Sequence, residues 1–101
     1  MKETARIFRA LADPTRRQIL LELKGGELSA GEIASRFDVS APSISRHLTI
    51  LKSADLLEER RQGNRILYRL EPERLAIALN DFLSKVCPTQ ILRRRRERRM
   101  S

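Results

Sequence analysis

Residues 29–70 read SAGEIASRFDVSAPSISRHLTILKSADLLEERRQGNRILYRL, and this stretch decides the fold. Ser29 and Glu32 stand three apart, the spacing of a capping box, and open a short helix running to about Phe37, with Ile33, Ala34 and Phe37 on its apolar face. Asp38-Val39 makes a tight turn. Ser40 then caps a further helix with Pro42 in its first turn, and Ile44, Leu48 and Leu51 recur at helical spacing to define its buried side. Two short helices within residues 29–53, joined by a few residues, have helix-turn-helix spacing. After this the period changes. Leu56–Arg61 and Arg65–Leu70 flank Gln62-Gly63-Asn64, and Ile66, Tyr68 and Leu70 alternate with Leu67 and Arg69. That pattern predicts a β-hairpin, and a hairpin directly after a helix-turn-helix is a wing.

Outward from this stretch, Ile7, Phe8, Leu11 and Ala12 place a helix over 4–12. Asp13-Pro14 caps and starts a second, with Ile19, Leu20 and Leu23 inward and Gly25-Gly26 at its end. Pro72 opens a last helix over about 72–86, with Leu75, Ala78, Leu79, Phe82 and Val86 on one face, and Pro88 breaks it. The expected fold is mainly α: a winged helix-turn-helix of four helices, a hairpin wing and a C-terminal helix, assembled as a homodimer. Residues 1–87 form the DNA-binding and dimerisation domain. Residues 88–101 form a basic tail whose run of like charges predicts disorder.

The chain has 101 residues and a formal net charge of +8, of which the tail contributes +5 and the body +3. The length fits one domain, and the basic balance points to a polyanionic partner. The lone Cys87 allows no internal disulfide and fits a reducing cytosol. No apolar run approaches the ~20 residues of a membrane span, and the start lacks a signal-peptide layout. A cytoplasmic protein is expected.

A reading helix enters the major groove and contacts base edges through its N-terminal residues. With Ile44, Leu48 and Leu51 inward, Ser43, Ser45, Arg46, His47 and Thr49 are left for DNA. Arg46 suits bidentate recognition of guanine, and His47 a hydrogen bond to phosphate or base. On the wing, Arg61, Gln62, Asn64 and Arg65 surround the tip, with Arg60 and Arg69 behind them, and Tyr68 is expected to pack beneath it. An arginine beside a tight turn can enter a narrow minor groove. The bland alternatives are a solvated helix face and a charged edge strand that resists aggregation. The alternative function is a winged-helix module for RNA or a protein partner. No phosphate loop, metal cluster or nucleophile–base set suggests an enzyme, and no cofactor is expected.

The strings FRALADPTRRQILLELKGGELSAGEIA, VSAPSISRHLTILKSADLL and RRQGNRILYRL, in order and over about residues 5–86, resemble the ArsR-type (arsenic-repressor) family of winged helix-turn-helix regulators. The autorepressor-like branch is a nearer likeness than the metal sensors. The resemblance implies a homodimer packed through its first and last helices, bound to an imperfect palindrome and repressing transcription, including that of its own gene. Ile7, Leu11, Leu75, Leu79 and Phe82 are the residues expected at that interface. Metal-sensing members carry two cysteines in E-L-C-x-C-D-L. Here Ser29 and Gly31 stand at those positions, and on the last helix only Asp81 matches a ligand. The resemblance therefore implies no metal site in this chain.

Overall fold

Asp13, with extended backbone, accepts hydrogen bonds on its carboxylate from the backbone N–H groups of Thr15 (2.8 Å) and Arg16 (3.2 Å), so the chain breaks between two helices there. The computed structural model describes residues 2–88; from residue 89 onward the expected basic tail lies outside the described residues. Helix α1 spans Lys2–Leu11 and α2 spans Pro14–Leu23, with Ile19, Leu20 and Leu23 buried as their spacing requires.

A two-residue strand, β1 (Leu28–Ser29), leads into α3 (Ala30–Ala34), and α4 spans Ala41–Ser53. The capping box is complete. Ser29 N–H donates to Glu32 Oε1 at 2.9 Å, and Glu32 N–H donates to Ser29 Oγ at 3.1 Å. Helix α3 stops earlier than its apolar pattern suggests. The N–H groups of Arg36 and Phe37 bond carbonyls three residues back, which tightens the last turn out of α geometry while Phe37 still packs on the core. Ser40 caps α4, and Ile44, Leu48 and Leu51 are buried on it.

Helix α4 ends in a Schellman motif. Leu56 N–H reaches the Leu51 carbonyl and Asp55 N–H the Lys52 carbonyl, with Asp55 at φ 60° where glycine is usual. Strands β2 (Leu57–Gln62) and β3 (Arg65–Leu70) form the hairpin. Gly63, at φ 60°, takes the first turn position and Asn64 keeps a negative φ, as in a type II′ turn. The sheet has three antiparallel strands in the order β1-β3-β2, with Leu28 opposite Tyr68 and Ser29 opposite Leu67. The third strand was not expected, because two residues carry no period.

Helix α5 (Pro72–Val86) completes the described chain. The core gathers Ile19, Ile33, Ile44, Leu48, Leu51 and Leu56, all fully buried, beneath α1 and the inner face of the sheet. Tyr68 and Leu70 pack on this core from the wing, while Ile66, further out, is exposed. Leu67 is buried on the opposite face, where Arg60 lies across from it.

Candidate nucleic-acid interface

The inward stripe of α4 fixes what its other side shows. Ser45, Arg46 and Thr49 are exposed, and Ser43 and His47 are half-buried. Ser43 gives its N–H to the Ser40 cap at 3.2 Å. Thr49 Oγ1 donates to the Ser45 carbonyl at 3.0 Å, so its hydroxyl proton is engaged by its own helix and its lone pairs face outward as acceptors. Among the described residues Arg46 has no ion pair.

His47 does not lie open on the surface. Its Nδ1 sits 3.3 Å from Nη1 of Arg16 on α2, close to the Asp13 cap. Burial pushes the Asp13 carboxyl up, but the N–H groups of Arg16 and Thr15, with the charge of Arg16, outweigh it and hold the carboxyl below its ordinary value. Arg16, which the sequence did not single out, also donates from Nε to the Ala10 carbonyl at 2.7 Å and from Nη2 to the Arg9 carbonyl at 3.0 Å.

On the wing, Arg61, Gln62, Asn64 and Arg65 are all exposed. The arginines divide sharply, however. Arg60 makes a bidentate pair with Glu27, both contacts at 3.0 Å, and Arg69 binds Glu58. Arg65 binds Glu32 Oε1 at 2.5 Å, the same oxygen that accepts the Ser29 N–H. Only Arg61 on this hairpin lacks a carboxylate partner among the described residues. The partners respond as such geometry requires. The Arg60 hydrogen bond lowers the Glu27 carboxyl, and the Ser29 N–H and hydroxyl, reinforced by Arg65 and Arg36, lower Glu32. Below the wing, Leu48, Thr49, Lys52, Ser53, Glu59 and Tyr68 line a groove of about 280 Å³, in which burial and the Glu59 charge raise the Tyr68 hydroxyl.

The residues expected at a dimer interface part company. Ile7 is 4% exposed and belongs to the core of its own chain, so it has little surface to give a partner. Leu11 and Leu75 are half-buried against that core, and Leu79 is half-buried on α5. Phe82 keeps 46% of its surface while packing edge-on against Phe8, with ring centroids 5.1 Å apart. Leu83 and Val86 are exposed beside it, and Ile77 is exposed on another side of the helix. Of fifteen residues in α5 only Ala78 is buried, leaving an uncovered apolar surface toward the C-terminal end.

Ser29 Oγ is occupied as a helix cap, and Gly31 offers no donor side chain, so these positions do not suit a thiophilic metal. Among the described residues no three histidine, cysteine or carboxylate side chains are disposed to hold an ion. No described helix is long and apolar enough to cross a membrane.

A helix-turn-helix domain family matches residues 11–60. The transcriptional repressor SdpR of Bacillus subtilis is 47% identical over 78 residues, covering 77% of this chain and 87% of that protein. The crystal structure of an ArsR family transcriptional regulator, RHA00566, superposes with a TM-score of 0.76 at 32% identity, covering 90% of each chain. The solution structure of a homodimeric winged helix-turn-helix DNA-binding domain from Mycobacterium bovis, described as a possible ArsR-family regulator, gives a TM-score of 0.68 at 35% identity, covering 90% of this chain and 82% of that one.

Proposed function

Since this chain belongs to the ArsR family of winged helix-turn-helix transcriptional regulators, and is thus a DNA-binding transcriptional repressor, we propose that it acts as a symmetric dimer on a palindromic operator in the cytoplasm. The observation that carries this reading is the outer face of α4. A helix whose inner side is locked into the core by Ile44, Leu48 and Leu51 presents Ser45 and an unpaired Arg46 at its exposed N-terminal half. That is the geometry of a helix reading base edges in the major groove. The free Arg61 at the end of the hairpin, with Gln62 and Asn64 beside it, reaches the flanking backbone or minor groove. Ser43, His47, Thr49 and Arg65 stand at the margins of the same surface.

Dimerisation rests on the uncovered end of α5. Phe82, Leu83 and Val86 form an apolar surface that a two-fold mate would bury, with Phe8, Leu11, Leu75 and Leu79 supporting it from below. Two reading helices would then meet two half-sites about one helical turn apart. Occupying the operator blocks polymerase sterically, and the protein's own promoter is a fitting target. A thiolate metal site on α3 is not part of this reading, because Ser29 caps α3 where such a ligand would stand.

The test is selection of bound duplexes from a random pool, followed by binding of Arg46→Ala to the selected site. The expected result is a palindrome, and a loss of about 1–3 kcal/mol with relaxed preference at one base pair per half-site. Equal loss on selected and random DNA would reduce Arg46 to a phosphate contact. Selection failing while single-stranded RNA binds would overturn the operator reading.

A further inference from the structure

We infer that Arg16 is a positioning residue for DNA reading: it fixes His47 as a hydrogen-bond donor and ties the reading helix to the end of α1. The inference rests on α4 being the reading helix. A guanidinium has donors and no acceptor, so its contact at 3.3 Å requires His47 Nδ1 to be the unprotonated nitrogen. The proton of the neutral ring is then on Nε2, which has no protein partner among the described residues. In this tautomer the free edge of His47 only donates. It matches a phosphate oxygen or a purine N7, and it rejects the amino groups of adenine and cytosine. The opposite tautomer would present an acceptor and reverse that preference. Arg16 therefore selects the sign of the hydrogen bond that His47 offers.

The remaining donors of Arg16 explain why it stays in place. The last carbonyls of an α-helix lack intrahelical partners and carry the negative end of the helix dipole. Arg16 Nε satisfies one such carbonyl, that of Ala10, at 2.7 Å, and Nη2 adds a second donor at 3.0 Å to the Arg9 carbonyl, which also accepts the Ala12 N–H at 3.2 Å. Its backbone N–H is held by Asp13. The guanidinium is thus fixed on α1 and α2 before it meets His47, and a shift of α1 against α4 would be felt first at this contact.

The experiment uses the full chain and the duplex selected from a random pool. His47 is the only histidine, so its ring nitrogens are unambiguous in a nitrogen-15 spectrum of labelled protein. The expected signature is a pyridine-like Nδ1 and a pyrrole-like Nε2, becoming a tautomeric mixture in Arg16→Gln. His47→Ala should weaken binding to the selected site by about tenfold, the scale of one good polar contact. Arg16→Gln should weaken it similarly in the wild-type background and little further in His47→Ala. Scanning the site with 7-deazapurine and methylphosphonate substitutions should abolish the His47 dependence at one position, a base in the first case and a phosphate in the second. If Arg16→Gln does not fold, Arg16→Lys, which retains charge and a donor for the α1 carbonyls, takes its place. A protonated Nδ1, an unaffected His47→Ala, or equal Arg16 losses in both backgrounds would overturn the inference. Arg46→Ala separates the two levels: if it too leaves the site intact, α4 is not the reading helix; if it alone weakens binding, only the role of His47 and Arg16 falls.

Discussion

The division among the wing arginines yields a measurable asymmetry. Arg61 and Arg65 flank the same turn, yet Arg65 is held by Glu32 at 2.5 Å and Arg61 by no carboxylate among the described residues. Each phosphate neutralised on duplex DNA contributes about 0.9 to the slope of log K against log salt. A symmetric dimer presents Arg61 twice, so Arg61→Ala should flatten the slope by roughly 1.8. Between 50 and 200 mM salt that amounts to about a tenfold difference in how much affinity the variant loses. Arg65→Ala should leave the slope nearly unchanged, since it removes a charge already matched inside the protein. The cap of α3 survives, because Glu32 Oε1 still accepts the Ser29 N–H. The converse change is the sharper probe. Glu32→Gln keeps an acceptor for Ser29 but releases Arg65, and should steepen the slope by about the amount that Arg61→Ala removes. The assay is fluorescence anisotropy on the selected duplex across a salt series. Arg65→Ala flattening the slope as much as Arg61→Ala would show that DNA strips Arg65 from Glu32. An unchanged slope in Arg61→Ala would show that the wing does not touch phosphate.

Four further outcomes are expected. Phe82→Glu with Val86→Glu places like charges on the uncovered end of α5, and ultracentrifugation should find a folded monomer; a surviving dimer would move the interface elsewhere. Asp55→Gly relieves a non-glycine residue at φ 60° for the loss of an exposed contact to Arg74, and should stabilise by about 0.5–1 kcal/mol, read as a rise of several degrees in Tm. Ser29→Ala removes the α3 cap and should cost about 1 kcal/mol in urea unfolding, with an unchanged midpoint counting against the box as a stabilising feature. Stability should hold above about pH 5 and fall as acid carries the solution through the depressed folded-state values of Asp13, Glu27, Glu32 and Glu58, since the unfolded chain binds more protons there. Glu71, raised by its hydrogen bond to Glu58, runs the other way and softens that fall, so a flat acid limb would refute the balance.

Features set by neighbours in sequence were legible, and those set by distant partners were not. The phase of Ile44, Leu48 and Leu51 placed Ser45, Arg46 and Thr49 outside, because a helix has only one buried stripe. Ser29 and Glu32 are three apart, so their reciprocal cap follows from spacing alone. Ile7 fits an apolar stripe equally well whether that stripe meets its own core or another chain, and only packing decides for the core. The partners of Arg60 and Arg65 lie 33 positions away, beyond any local period. Arg16 reaches His47 across 31 positions, and the run DPTRR gives no sign of which arginine turns inward.

These distant pairings bear on how a strongly basic chain can discriminate between sequences. Every arginine on phosphate raises affinity for all DNA alike, whereas discrimination comes from base contacts and groove shape. A wing with Arg60, Arg61, Arg65 and Arg69 all free would hold random duplex tightly and narrow the ratio that matters for finding one site among many. Glu27, Glu32 and Glu58 neutralise three of the four at their own positions. Two of these pairs also tie the hairpin to the rest of the domain, Arg60 to Glu27 beside β1 and Arg65 to Glu32 of α3. A wing held in this way delivers a single arginine to one place beside the reading helix. The body's charge is therefore better described by its few unmatched groups, Arg46 and Arg61 foremost, than by its total. Glu32→Gln should accordingly raise affinity for random duplex more than for the selected site, and a gain confined to the selected site would mean that Arg65 reads sequence once it is freed.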